Sequence, residues 1–240
     1  MSDSPAPDEG SGAVSPAGAP TDEGYREGAI DLLGILAYGA LTAFERLAED
    51  ARTAPTLTDK IHVATMASAQ IDYFGRVRGR LADFGVDVLT AMRPFHQPFN
   101  TFHEYTRPRD WYEGLLKAYV GDGIAADFYR EVAAYVDEDT RTLVHEVLAD
   151  RGHDEFVIDR VRSGIDADPK LAGRLALWGR RLVGEALSQA QRVAADRDAL
   201  TSLLTGTSDR PGMDLAAISR MFSRLVANHT KRMARLGLQS

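Results

Sequence analysis

From residue 25 to about residue 203, apolar side chains recur in steps of three and four, and the two-residue alternation of a half-buried strand is almost absent. A chain patterned this way has to bury helix stripes against one another, so the fold class is all-α. Breaks at RTAPTLTDK, TAMRPFHQPFNTFHEYTRPRDW, VDEDT and DADPKLAG divide the body into helices near 26–52, 58–84, 110–136, 139–165 and 169–203. In the last break Asp168 suits an N-cap, with Pro169 at the first helical position. The stretch between the second and third helices is longer than a hairpin needs, so it is a crossover or a functional loop. The simplest architecture is an antiparallel four-helix bundle with a long crossover connection and an additional C-terminal helix.

The flanks differ from the body. Residues 1–24 are Pro, Gly, Ala, Ser and acids with no basic residue and no aromatic, a composition too poor in apolar surface to order itself, so a disordered acidic tail is expected. Residues 204–240 form a linker and a basic amphipathic helix with Ile218, Phe222 and Leu225 on one face; docking on the bundle, binding an anionic partner and lying free are all open. The chain has no cysteine, so oxygen and imidazole are the only good metal ligands it offers. The longest apolar run, AIDLLGILAYGALTAF, contains Asp31 and reads as too short to cross a bilayer; no membrane and a cytoplasmic location are expected. A net charge of −7 argues against general nucleic-acid binding. In the long connection, Phe95, Phe99, Phe102, Tyr105 and Trp111 stand beside Arg93, Arg107 and Arg109, suited to stacking an unpaired base or to pinning the connection on the bundle, the second being favoured.

Polar residues interrupt the stripes. The second helix runs Val63, Met66, Gln70, Tyr73, Val77, Leu81; the third runs Leu115, Tyr119, Asp122, Tyr129, Ala133. The fourth runs Leu143, Val147, Asp150, His153, Val157, and in the first helix Glu45 lies beside the surface of Leu36, Ala40, Phe44 and Leu47. A carboxylate in a dry interior is paired, hydrogen-bonded, metal-bound or neutralised. Acids from four helices meeting at one level are how dinuclear carboxylate sites are built, with single acids on two helices and acid-x-x-His pairs on the other two. Glu45 and Asp122 would supply single acids, and Asp150 with His153 one pair; the second helix has QIDY, Gln70 to Tyr73, where the other pair belongs. Glu185 and Gln189 lie on the fifth stripe, as hydrogen-bond partners of such a site or replacements within it. The residues equally allow a bland account: Asp150 and His153 mark a helix end beside Gly152, Glu45 pairs with an arginine, and Gln70 and Tyr73 are satisfied core groups.

This arrangement, with AYGALTAFERLAEDAR, MASAQIDYFGRVRGRLADFGVD, VLADRGHDEF and RLALWGRRLVGEALSQAQRV, resembles the actinobacterial ferritin-like proteins classed as MiaE-like. These are similar to the tRNA hydroxylase that oxidises 2-methylthio-isopentenyladenosine with a dinuclear iron centre. The resemblance covers about residues 25 to 203 and implies a ferritin-like bundle. It puts the first-helix glutamate on Glu45 and the last acid-x-x-His on Asp150 and His153, with Gln70 and Tyr73 where the pattern has Glu and His. The third-helix acid would fall near Ala125, so Asp122, one turn earlier, is a substitute. The resemblance thus implies a non-haem di-iron hydroxylase or oxidase relative with a degenerate site, holding iron as a dinuclear or mononuclear centre or no metal at all. The alternative is a metal-free helical-bundle binding or scaffold protein, a pseudoenzyme. tRNA as a partner rests on the resemblance alone, and a homodimer is open.

Overall fold

The computed structural model describes residues 23–149, 153–206 and 212–239; the expected disordered tail lies outside them except for Glu23 and Gly24. Among the described residues there are helices and no strands. Two long antiparallel helices, α1 (Glu23–Thr53) and α2 (Leu57–Asp83), form the backbone of the bundle. Thr56 starts α2 by accepting from the Asp59 N–H at 3.1 Å. Gly85, with φ 69°, ends it: its own N–H bonds Ala82 and that of Val86 bonds Leu81, a closure that needs a left-handed residue. The connection to the third helix is itself helical, not a loop: α3 (Val88–Met92), one 3₁₀ turn and α4 (His96–Tyr105) carry it along the bundle. Phe95 is fully buried and Phe99 meets Tyr38 edge-on at 5.4 Å, so these aromatics hold the connection down.

The third helix of the bundle is α5 (Trp111–Leu116) and α6 (Asp122–Ala133), joined through a π-turn at Lys117–Gly121. The expected helix over 139–165 is broken into α7 (Glu138–Val147) and α8 (His153–Ala167), with Asp150 to Gly152 outside the described residues. The fourth stripe is therefore not one continuous helix, and His153 stands on α8. The expected helix over 169–203 also divides, into α9 (Lys170–Asp196) and α10 (Asp198–Thr205). Arg197 leaves helical geometry at that point and grips the buried Asp31 of α1 through two hydrogen bonds, at 3.0 and 2.5 Å. Contrary to the length expectation, α1 is long and apolar enough to cross a membrane, but 61% of its most apolar window is buried inside the bundle. The basic helix α11 (Leu215–Arg235) docks: Met221, Leu225, His229 and Met233 are buried against α6, α9 and the π-turn.

The core is in two parts. One cluster gathers Leu32, Leu33, Val77, Leu81, Phe95, Val132, Val144, Val193 and Leu203; the other gathers Leu47, Val63, Met66, Leu115, Leu116, Val157, Leu175 and Leu182. Each bundle helix passes from one cluster to the other, and between them lies a level with fewer apolar anchors. The changeover falls near residues 41–43 of α1, 68 of α2, 124–125 of α6 and 187–192 of α9.

Candidate functional site in the middle of the bundle

A cavity of about 580 Å³ occupies the level between the two clusters. Its wall is mostly apolar: Leu36, Ala40 and Ala43 from α1, Met66 and Val77 from α2, Ile124, Ala125 and Phe128 from α6, Ala186 and Ala190 from α9. Several residues singled out from the sequence line it. Gln70, Tyr73, Asp122 and His153 are all in the wall, and so is Gln189. Glu45 is not: it lies on the exposed side of α1, and the residue that reaches inward is its neighbour Arg46. One residue is a rotation of about 100° on a helix, and the inward stripe Gly39, Ala43, Arg46 passes Glu45 by. Glu185 is half-buried and outside the wall, and Asp150 lies outside the described residues.

Arg46 organises one end of the cavity. Its guanidinium bonds the Thr42 carbonyl, donates to His103 Nε2 at 2.9 Å and approaches Asp122 Oδ1 at 3.3 Å. A guanidinium only donates, so the accepting nitrogen of His103 carries a lone pair and the ring is neutral. Burial, then the charges of Arg46 and Lys117, hold the His103 pKa down to about 2. Burial pushes the Asp122 carboxyl up, opposed by Arg46 and Lys117. Lys117 is buried in the π-turn; it donates to the Thr106 carbonyl at 2.6 Å and lies over the Phe102 ring. Burial and Arg46 bring its pKa down to about 7, while burial raises that of Asp50 to about 6. Sequence reasoning found Asp122 but missed Arg46, His103 and Lys117 around it. The one readable signal of this cluster was Lys117, a cation inside the run LLKAYV, where a bundle helix should be apolar.

The donor set of the described residues does not fit a dinuclear iron centre. Among the described residues, no three acid, histidine or cysteine side chains converge. Gln70 and Tyr73 are neutral where an acid and an imidazole are wanted, and a fixed cation, Arg46, already holds Asp122 and the His103 lone pair. Farther along the wall, Gln189 is 7% exposed and both polar atoms of its amide are buried with no hydrogen-bond partner among the described residues. A buried amide left unmade in this way costs about 1–3 kcal/mol per group.

Fold and site together define a helical bundle whose middle is a lined cavity in place of packed core. Residues 23–207 match the family described as Ferritin-like domain, actinomycetes, and the chain belongs to that family. Among solved structures, it is similar to a Synechococcus protein described as protein 19 with aldehyde deformylating oxidase activity. The two share 19% identity over 91% of this chain and 93% of that one, with a TM-score of 0.68. At that identity the likeness shows the fold: all-α and ferritin-like. No curated protein matches.

Proposed function

We propose that this chain is a metal-independent binding protein, in which the ferritin-like bundle receives one largely apolar small molecule with a hydrogen-bonding group. The observation that carries the reading is the cavity of about 580 Å³ between the two apolar clusters, within the roughly 300–1,000 Å³ of ordinary ligand pockets. Its unpartnered Gln189 amide asks for a polar atom on the occupant, and Arg46 supplies a fixed positive charge at one end of it. A second reading, an iron-dependent hydroxylase or oxidase relative of the MiaE-like kind, draws on Asp122 and His153 lining the same cavity.

Metal analysis and ligand binding on the same preparations separate the two. On the binding reading, protein from iron-supplied cells carries far less than one metal per chain. Gln70→Glu with Tyr73→His does not raise it, because Arg46 still repels a cation from the site. The fluorophore anilinonaphthalene sulfonate, aromatic rings carrying one anionic sulfonate, binds the parent with one site. Stoichiometric iron in the parent, or a sharp rise in iron uptake and oxygen consumption in the double variant, would overturn the binding reading in favour of the oxidase.

A further inference from the structure

α11 follows the family domain, which ends at residue 207, yet it supplies part of the cavity wall through Ile218, Met221, Phe222, Leu225 and Arg232. Its two halves are held very differently. The C-terminal half is anchored: Met233 and Leu236 are fully buried, and Leu238 is nearly so. The helix closes there on Gly237, at φ 76°, with the Leu238 N–H bonding Met233. Arg232 adds two hydrogen bonds of 2.8 Å to the buried Asp127 and lies across Gly123, where a Cβ would stand 2.4 Å from its Nε.

The N-terminal half has much less. Leu215 is 83% exposed and Ile218 and Phe222 are half-buried; Met221 and Leu225 are buried and border the cavity, Met221 as a member of the first core cluster with Met213 and Phe222 packed on it, and the Met213 N–H bonds the Leu204 carbonyl at 2.6 Å. Its ion pair to the bundle, Arg224 with Glu131 at 2.7 Å, is on the surface, where salt screens it. Two buried side chains, one backbone bond and a surface ion pair hold this half, against the closed C-cap, the Asp127 pair and three buried side chains that hold the other, so the stretch that borders the cavity has less holding it than the stretch beyond.

We propose that the N-terminal half of α11, from Leu215 to Leu225, is a flap over the cavity, hinged on the anchored half and latched by Arg224 and Glu131. The flap is the passage by which a ligand enters and leaves, and Met221, Phe222 and Leu225 set the width available to it. This rests on the binding reading above for the ligand, while the flap itself is a mechanical property of the chain.

Because the protein has no cysteine, a single introduced thiol reports one position. Met221→Cys and Met233→Cys place it on the same helix at 1% and 0% exposure, in the flap and in the anchor. The expected result is reaction of the Met221→Cys thiol with a maleimide at least about tenfold faster than that of Met233→Cys, as local opening outruns deeper opening. Glu131→Gln or added salt should accelerate the first and leave the second unchanged, and bound anilinonaphthalene sulfonate should slow the first. Leu225→Cys repeats the flap measurement if Met221→Cys folds poorly. Equal rates in flap and anchor would overturn the proposal, whether or not the fluorophore binds. Unequal rates in a chain that binds no fluorophore would leave the flap standing and remove the ligand reading instead.

Discussion

Filling the cavity should strengthen the fold and abolish binding, a pair of opposite effects that few other sites in the chain would give. Ala125 on α6 is half-buried, lines the cavity and packs on the edge of the first cluster. Ala125→Leu adds three carbons where there is room for them. At about 0.8 kcal/mol for each buried methylene the gain is about 2.4 kcal/mol. Fixing the leucine rotamer costs about 0.5–1 kcal/mol, which leaves about 1.5 kcal/mol of net stabilisation. For a chain of this size that is a rise in Tm of about 3–6 °C. Melting followed by circular dichroism measures it, and fluorophore titration on the same sample should show binding at least about tenfold weaker, equivalent to about 1.4 kcal/mol. The control is Ala37→Leu, at a fully buried position of the same cluster away from the cavity wall, which should destabilise by about 1–3 kcal/mol through overpacking. If Ala125→Leu instead destabilises as Ala37→Leu does, the space between the clusters is not free and the binding reading fails with it.

Two other substitutions test the polar framework. Arg46→Met removes a cause of the low His103 pKa second only to burial, so the ring should titrate well above the value of about 2 it has in the parent; an unmoved His103 resonance in a pH series would refute the assigned contact. The sign follows from linkage: with a folded pKa below the unfolded 6.5, His103 withdraws stability as pH falls from about 6.5 toward about 2, and Arg46→Met narrows that window from below. Tyr25→Phe deletes the bond from the phenol to Asp137 Oδ2 at 2.8 Å and leaves the Asp137 N–H, which bonds that phenol at 2.6 Å, without its acceptor. A loss of about 2 kcal/mol is expected, read as a lower urea midpoint at unchanged m-value.

The sequence was most informative about the level of the site and least informative about which side chains occupy it. Val63, Met66, Tyr73, Val77 and Leu81 are buried where the period of α2 puts them, and the polar interruptions of several helices do fall between the two clusters. Periodicity carries that much because burial is set by helix phase. It does not resolve neighbours, and Glu45 and Arg46 differ only by one step, so the acid was preferred for its chemistry while geometry selected the arginine. The division of the fourth helix was present in Gly152 and Asp150 as a stop signal, but a stripe continuous in phase from Val147 to Val157 hid it. The helical character of the connection was hidden in another way: Pro94, Pro98 and Pro108 suggest irregular chain, yet Pro94 and Pro98 stand in the first turns of short helices, where proline has no N–H to lose.

The void between the clusters also gives the chain a mechanical character. Unfolding eliminates internal space, so hydrostatic pressure favours the unfolded chain in proportion to the emptiness of the folded one, ordinarily by roughly 20–100 mL/mol. With a cavity of about 580 Å³ dividing its core, this bundle should be soft, compressing and unfolding at lower pressure than a ferritin-like bundle packed through its middle. A seated ligand would stiffen it, and so would a leucine introduced by Ala125→Leu, which makes compressibility a measure of how full the middle of the protein is.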